Sequence, residues 1–448
     1  MNPGIASALE TQATAGAASG KKTNVRWLVL VLLCLMYLVT YLDRACISVV
    51  APVISKEFGF SKLQMGLIFS AFAWAYSLGQ IPGGWLGDRF GPRRVLPSMV
   101  LFWSAMTMAT ARGFSFVSFL VIRFIFGLGE AGANPTSTRA VQHWYPKSER
   151  GVVSGLMHSF VNFSTSLVPP VVVVIMQAWG WRSVFYVFGM VGVLWAITYW
   201  LVYRDRPEQH SGVNEAELAH IRERSADGTV NVVKEEAKTQ VPWGIILRSP
   251  NTWFLSAAWA CYVYNAYFFF FWLPSYLVEH HHVSMQKMGF LAALPLFAGG
   301  LGGVAGGALT DFFYKRTGNL RNARRYVCIM SMLGSAAFLA PSAVLQNPVA
   351  VSWCMAGTVF FLATVMGPTW AVAMDIGKDY SGSVSGVMNM VGNSAGAVSP
   401  IVFGYLAERG MWIAPFAIAI GVLLAGVFIW IFLVNPERSV VERAQPAL

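Results

Sequence analysis

The sequence predicts an all-α integral membrane protein with twelve transmembrane helices in two six-helix halves. Apolar runs of about 20 residues recur along almost the whole chain, which is the length that crosses a hydrocarbon core of ~30 Å. Only 12% of the 448 residues are charged and 56% are hydrophobic, whereas a soluble domain has about twice that charged share. The basic residues also concentrate in alternate loops, which is typical of a membrane topology.

The predicted spans divide the chain into two bundles joined by a polar linker. They are 27–50, 63–86, 95–112, 116–138, 151–177 and 182–203, then 252–278, 287–310, 326–345, 349–374, 382–407 and 411–434. We therefore expect a disordered cytoplasmic tail (1–26), a first six-helix bundle (27–203), a cytoplasmic linker (204–250), a second bundle (251–434) and a cytoplasmic C-terminal tail (435–448). Polar residues from Glu215 onward predict a short amphipathic helix within the linker.

The positions of the basic residues explain the net charge of +11 and predict the orientation. With the N-terminus inside, 24 of the 32 lysines and arginines lie in cytoplasmic segments and six lie in outside loops. This bias places both termini in the cytoplasm. We expect a multi-pass protein of the cell inner (plasma) membrane, whose partner is the lipid bilayer, and no nucleic-acid partner is expected.

A weak internal repeat relates the two halves. Gly84-Trp-Leu-Gly-Asp88 ends the second span, and Gly307-Ala-Leu-Thr-Asp311 ends the eighth, about half the chain later. In transporters built from such repeats, the binding site lies between the repeats near the bilayer midplane.

The loop after the second span carries a family resemblance. Gly84-Trp-Leu-Gly-Asp88-Arg89-Phe-Gly91-Pro-Arg93-Arg94 resembles the signature loop of the major facilitator superfamily. The resemblance implies the major facilitator fold and a gating role for Gly84, Asp88, Arg89, Gly91, Arg93 and Arg94. Glycine at 84 permits close helix packing, while Asp88 and the arginines can tie helix ends together. A simple basic stop-transfer loop would explain the arginines but not the glycines or Asp88.

Further segments narrow the resemblance to one branch. They are Asp43-Arg44, the run from Phe69 through Tyr76 to Gln80, Arg123 with Glu130 and Asn134-Pro135, and Trp272-Leu-Pro-Ser-Tyr-Leu. These segments are similar to the anion:cation symporter family, which includes galactonate, glucarate and hexuronate transporters. The resemblance implies an organic-anion substrate and a proton as coupling ion, with no other cofactor. The sequence contains no nucleotide-binding or hydrolase motif, so we do not expect an enzyme. No metal site is expected either.

Four ionisable residues lie deep within predicted spans: Asp43, Arg44, Arg123 and Glu130. Each costs about 2.5–3.5 kcal/mol at the centre of a membrane helix, so they must line a wet cavity or pair with one another. Arg123 and Glu130 are two helical turns apart and share a face. Gly127 lies between them and leaves room for a neighbouring helix or a ligand.

The types of these four residues suit anion and proton binding. A guanidinium stays charged and can bond both oxygens of a carboxylate. A buried carboxyl favours its protonated form, whereas a neighbouring arginine favours the ionised form. The resemblance assigns Asp43 and Glu130 to proton coupling and places Arg44 and Arg123 near the substrate. The residues alone do not rank Asp43 against Glu130, and a static salt-bridge cluster is the alternative.

Other polar residues complete the predicted pocket, namely Tyr76, Gln80, Thr369, Trp370, Asn389 and Asn393. The resemblance implies substrate contact at Tyr76, Thr369, Trp370 and Asn389, whereas helix–helix contact is the alternative for Tyr76 and Gln80. Gly367 stands where galactonate carriers have serine. If Tyr264 or Asn265 faces the cavity, an aromatic carboxylate becomes a candidate substrate.

These observations predict a monomeric secondary active transporter that couples a proton to a small organic anion by alternating access. A sugar acid such as a hexonate or hexarate is the expected substrate. The alternatives are an aromatic carboxylate such as phthalate as the symported anion, or an organic-phosphate or drug exchanger or exporter on the same scaffold. A receptor that binds without moving solute is a third class.

Overall fold

The computed structural model describes residues 22–222, 243–436 and 439, and the regular structure of these residues is helical. The first half contains α1 (Val25–Phe58), α2 (Lys62–Phe90), α3 (Pro92–Thr110), α4 (Phe116–Glu130), α5 (Ala133–Trp144), α6 (Lys147–Trp179) and α7 (Trp181–Val202). The linker contains α8 (Glu215–Ile221) and α9 (Trp243–Arg248). The second half contains α10 (Pro250–Ser275), α11 (Met285–Thr317), α12 (Leu320–Ser342), α13 (Pro348–Thr364), α14 (Met366–Gly377), α15 (Ser381–Glu408) and α16 (Ala414–Phe432).

Two pairs of consecutive helices each form one membrane segment, so the described chain has twelve such segments. Eight of them are long and apolar enough by themselves to cross a bilayer: α1, α4 with α5, α7, α10, α11, α13 with α14, α15 and α16. The other four, α2, α3, α6 and α12, are more polar. They pack among the apolar segments, α2 against α4 and α15, α3 against α7, α6 against α1 and α11, and α12 against α13 and α16.

A proline explains each interruption of a membrane segment. α4 ends at Glu130 and α5 begins two residues before Pro135, while α13 ends at Thr364 and α14 begins two residues before Pro368. Proline has no N–H to donate to the carbonyl four residues earlier, so it weakens a continuous helix there. The break near Pro368 in the second half therefore has a counterpart near Pro135 in the corresponding segment of the first half.

The linker helix α8 holds the start of α1. The carboxylate of Glu217 is fully buried and accepts hydrogen bonds from the Val25 amide at 3.2 Å and the Arg26 amide at 3.0 Å. It thereby satisfies amides that have no partner within their own helix. The predicted tail boundary at residue 26 falls inside α1, and residues 1–21 and 223–242 lie outside the described part of the chain.

The two halves meet along α2 and α15, and also along α6 and α11. A Cβ added at Gly66 would lie 2.4 Å from the Pro400 carbonyl oxygen, and one at Gly404 would lie 2.4 Å from the Lys62 carbonyl oxygen. The hydrogen bonds between side chains of α2 and residues of α15 fall between Ser70 and Gln80. By contrast, a Cβ at Gly382 or Gly386, toward the other end of α15, would meet no atom within 4 Å. The halves are therefore joined at the Lys62 end.

Candidate functional site: a cavity between the two halves

A cavity of about 220 Å³ lies between the halves. Its charged lining residues among those described are Arg44 of α1 and Glu130 of α4, both from the first half. The second half contributes neutral side chains, namely Trp259, Tyr262 and Tyr267 of α10, Trp370 of α14, and Asn389 and Asn393 of α15. The charged pair thus lies on the wall of the first half, which also contributes Tyr41, Tyr76 and Asn134, whereas the second half forms a neutral wall of aromatic and amide groups.

Arg44 and Glu130 form an ion pair on the charged wall. Nη2 of Arg44 donates to Oε1 of Glu130, and the guanidinium carbon lies 4.7 to 4.9 Å from the ring centres of Tyr41, Phe72 and Tyr76. Aromatic faces attract a cation electrostatically. Oε2 of Glu130 has no hydrogen-bond partner among the described residues. The pair therefore presents a held guanidinium to an anion in the cavity, and a carboxylate oxygen that is free to accept a hydrogen bond or a proton.

Asp43 points away from the cavity, although it precedes Arg44 directly. Its Oδ2 accepts hydrogen bonds from Trp103 Nε1 at 3.1 Å and Ser104 Oγ at 3.4 Å. It is 1% exposed and is not among the cavity-lining residues. Consecutive helical residues project about 100° apart, so α1 presents Arg44 to the cavity and Asp43 to α3.

Arg123 lies behind Arg44. Its Nη2 donates to the Arg44 carbonyl oxygen at 3.4 Å, and its guanidinium carbon lies 4.6 Å from the centre of the Phe126 ring. It does not line the cavity. A Cβ at Gly127 would lie 2.5 Å from the Phe72 carbonyl oxygen, so this glycine accommodates helix α2 and not a ligand.

A chain of hydrogen bonds links the amide side chains across the halves. Asn389 Nδ2 donates to Gln80 Oε1 at 3.0 Å, Asn393 Nδ2 donates to Asn389 Oδ1 at 3.1 Å, and the Tyr267 hydroxyl donates to Asn393 Oδ1 at 2.7 Å. Gln80 does not line the cavity, whereas Tyr76 does. The sequence left substrate contact and helix–helix contact open for these two residues. The position of Gln80 fits helix–helix contact, and that of Tyr76 fits a pocket wall.

Thr369 and Trp370 differ sharply in position. The Thr369 hydroxyl donates to the Val365 carbonyl oxygen at 2.8 Å, and the residue is fully buried and outside the cavity lining. Trp370 lines the cavity, and its Nε1 has no hydrogen-bond partner among the described residues. The predicted contact at Thr369 therefore has no geometric support here, whereas Trp370 presents a free donor.

The aromatic wall comes from other residues of α10 than those singled out from the sequence. Neither Tyr264 nor Asn265 lines the cavity, and Asn265 Nδ2 donates to the Cys261 carbonyl oxygen at 3.0 Å. The condition stated for an aromatic substrate is thus not met at these two positions. Trp259, Tyr262 and Tyr267 of the same helix form the wall instead.

The signature loop is fixed by a linker residue that sequence reasoning missed. Asp205 Oδ1 accepts a hydrogen bond from the Arg93 amide at 2.9 Å. A Cβ at Gly91, where φ is +80°, would lie 2.9 Å from Asp205 Oδ2, so glycine suits both the backbone and the close approach. The sequence feature that could have identified Asp205 is an acidic residue shortly after the sixth predicted span.

The other signature-loop residues have separate surroundings. Gly84 faces Pro135, whose Cβ would lie 3.4 Å from an added Cβ. The Arg89 guanidinium carbon lies 5.2 Å from the Trp85 ring centre, and Arg94 is exposed. The side chain of Asp88 lies outside the described part of the chain.

Comparison with known proteins decides the family, because residues 33–400 match the Major Facilitator Superfamily. The chain belongs to this superfamily. It is therefore a multi-pass membrane protein of a transporter family and not an enzyme. The predicted fold class, with twelve transmembrane helices in two six-helix halves, is confirmed.

Named relatives of this superfamily member confirm the predicted branch. The chain is 40% identical to a "Probable sulfoacetate transporter" of Cupriavidus necator, over 94% of this chain and 96% of the relative. It is 36% identical to a "Probable galactarate/D-glucarate transporter" of Escherichia coli K12, with 88% and 89% covered. It is 31% identical to a "D-galactonate transporter" of Escherichia coli O6:H1, with 94% and 98% covered.

Solved structures share the fold. A bacterial homologue of the human lysosomal transporter Spinster, in an inward-facing and unoccupied conformation, superposes with a TM-score of 0.69 at 19% identity, over 92% of this chain and 96% of that one. The D-xylose–proton symporter gives 0.68 at 17% identity, with 91% and 98% covered. At these identities the likeness concerns the fold alone.

Proposed function

We propose that this protein is a proton-coupled symporter of a small organic anion. The observation that carries the proposal is the Arg44–Glu130 ion pair on the wall of the cavity between the halves. Arg44 is the only positively charged side chain among the described lining residues. An anion that enters the cavity therefore competes with Glu130 for the same guanidinium.

This competition supplies the coupling. When an anion takes the place of Glu130 at Arg44, the carboxylate loses its cation in a site of low dielectric, and protonation then removes the cost of its charge. Release of the anion restores the ion pair and favours release of the proton. Anion and proton therefore bind together, and each strengthens the binding of the other.

In this proposal Glu130 is the proton carrier that meets the substrate, because it lines the cavity. Asp43 is a second proton site on the α3 side of α1, where Trp103 and Ser104 hold one carboxylate oxygen. Arg123 is a positioning residue, since it bonds the Arg44 backbone. Tyr76, Trp370, Asn389 and Asn393 form the remainder of the substrate site, and the amide chain holds Gln80 in place.

The substrate is an anion with a carboxylate or sulfonate group. A sugar acid such as a hexonate or hexarate agrees with the names of several relatives. Sulfoacetate is a second candidate, because the relative at 40% identity bears that name. The neutral wall also favours it: Thr369 is turned away, the Asn389 amide donates to Gln80, and the Asn393 amide donates to Asn389.

The proposed orientation follows the distribution of basic residues, with both termini in the cytoplasm of a bacterial inner membrane. The halves are joined at the Lys62 end, which is the predicted outer side, so the cavity faces inward in this conformation. Alternating access requires that contact to separate. We propose that the signature-loop residues Gly84, Asp88, Arg89, Gly91, Arg93 and Arg94 form the contact on the cytoplasmic side.

Uptake into proteoliposomes tests the proposal. Labelled galactarate, galactonate and sulfoacetate are offered with and without an imposed inward proton gradient. We expect accumulation of at least one of them above equilibrium only with the gradient. Accumulation that ignores the gradient, or stimulation by internal phosphate without any pH response, would contradict proton symport and favour an exchanger.

A further inference from the structure

A second, larger concavity of about 580 Å³ lies away from the central cavity, on the surface formed by α2, α3 and α4. Its lining is apolar except near one end. Leu78, Phe102 and Leu128 line it and are 60%, 47% and 43% exposed. In a bilayer these exposed side chains face lipid, because apolar surface without a protein partner lies in the hydrocarbon region.

The groove matches one leaflet in length. Along α2 it extends from Leu78 to Phe90, which is about 18 Å at the helical rise of 1.5 Å per residue. Half of a hydrocarbon core is about 15 Å. Glycines at 79, 83 and 129 belong to the lining, and an added Cβ at each would lie within 2.8 Å of a neighbouring segment, so they let the helices that form the groove pack closely. The groove therefore has the dimensions of one extended lipid chain.

Arg94 lies at the end of the groove near the signature loop. It is the only charged residue among the described lining residues, and its side chain is exposed. Its guanidinium forms no hydrogen bond or ion pair with the described part of the chain, whereas Arg89 and Arg93 lie against the rings of Trp85 and Trp200. Ser98, one turn further along α3, is the other polar side chain of the lining.

We propose that this groove binds an anionic phospholipid, with one acyl chain along α2 and the phosphate at Arg94. A tail alone gives no preference, because every lipid offers one and hydrocarbon is the solvent. The headgroup therefore determines which lipid is preferred. Basic residues at a membrane surface attract anionic lipids. No acidic residue among the described lining residues would favour the ammonium group of a zwitterionic lipid.

The test does not depend on the proposed symport, because it measures lipid binding at a groove that lies outside the lining of the substrate cavity. Binding is measured on the purified full-length protein by native mass spectrometry. The probes are phosphatidylglycerol and phosphatidylcholine with identical chains, and soluble glycerol phosphate as a headgroup without a tail. We expect the wild type to prefer phosphatidylglycerol and to bind glycerol phosphate negligibly.

Three variants locate the preference. Arg94→Gln is expected to reduce the preference for phosphatidylglycerol roughly fivefold, which is the contribution of one basic residue near a membrane surface. Arg94→Lys is expected to retain most of the preference. Ser98→Phe fills the groove and weakens phosphatidylglycerol binding although the charge remains. Lys56→Gln, an exposed cation near the opposite end of the molecule, is the control and leaves the preference unchanged.

Equal binding of the two lipids by the wild type would overturn the proposal, as would full preference in a folded Arg94→Gln protein. Binding of glycerol phosphate as tight as that of phosphatidylglycerol would also overturn it, because the site would then recognise a soluble anion. If Arg94→Gln does not fold, the Ser98→Phe result decides: an unchanged phosphatidylglycerol affinity excludes the groove.

Discussion

Lys62 and Glu279 form an ion pair across the two halves, with Nζ 3.3 Å from Oε2. Lys62 is the first residue of α2, and Glu279 lies in the π-helical turn Tyr276–His280 that continues α10 at its C-terminal end. Each charge stands at the helix end that its own helix dipole disfavours. The same holds for Glu408, the last residue of α15, which accepts a hydrogen bond from the Leu63 amide at 3.0 Å. These unfavourable placements are compensated only while the halves are joined.

Lys62→Gln should therefore shift the protein toward the conformation that is open at the Lys62 end. The pair is partly exposed, and such pairs contribute about 0.2–1 kcal/mol, so we expect the population ratio to change by up to about fivefold. Spin labels at positions 56 and 409, in a protein whose five cysteines are replaced, report the distance between the halves. Lys287→Gln removes another positive charge on this side and serves as control. An unchanged distance distribution in Lys62→Gln would contradict the role of the pair.

Glu130→Gln should tighten anion binding and abolish gradient-driven uptake. Without the competing carboxylate, Arg44 is free for the anion, and a charge-assisted hydrogen bond is worth about 1.5–3 kcal/mol. We expect at least about tenfold higher affinity by calorimetry, with exchange less impaired than net uptake.

Asp43→Asn is the matched comparison, because Asp43 neighbours Arg44 but does not line the cavity. We expect loss of gradient-driven uptake with an affinity close to that of the wild type. Glu208→Gln, in the linker, is the control for loss of a carboxylate. Equal affinity changes in Glu130→Gln and Asp43→Asn would show that the cavity position of Glu130 does not cause the change in anion affinity. Gradient-driven uptake at the wild-type rate in both variants would exclude both proton roles.

Thr369→Val and Trp370→Phe should separate two neighbouring residues. Thr369→Val removes a hydroxyl that bonds its own helix, so we expect KM to stay within about twofold. Trp370→Phe removes an unpartnered donor in the cavity, and we expect KM to rise about fivefold, as for the loss of one hydrogen bond of about 1 kcal/mol. Uptake kinetics with the best substrate measure both. The reverse order of effects would mean that the substrate reaches Thr369 in another conformation.

Glu217→Ala should lower stability without a direct effect on the substrate site. It removes the carboxylate that receives the first amides of α1, and loss of a helix cap costs about 0.5–2 kcal/mol. We expect a lower apparent melting temperature of the purified protein and an unchanged KM. Glu215→Ala, at an exposed position two residues earlier, should leave the melting temperature unchanged. If both variants melt alike, the buried contact of Glu217 is not the cause.

Long apolar runs and the signature loop made the architecture predictable, because membrane thickness and backbone hydrogen bonding leave few options for such a chain. The boundaries were less predictable. α1 continues to Phe58, beyond the predicted end at residue 50, until Gly59 ends it in a left-handed conformation with φ of 69°. Helices need not stop where the hydrocarbon ends, so hydropathy marks the span and not the helix.

By itself, the sequence determined the fold of twelve membrane segments and the need for Asp43, Arg44, Arg123 and Glu130 to find partners or water, and its basic residues predict the orientation. The tertiary structure decided which of them do so together. It pairs Arg44 with Glu130, turns Asp43 toward Trp103, and joins Lys62 to Glu279. Helical periodicity fixes which face a residue occupies, but only the packing of helices distant in sequence fixes what that face meets.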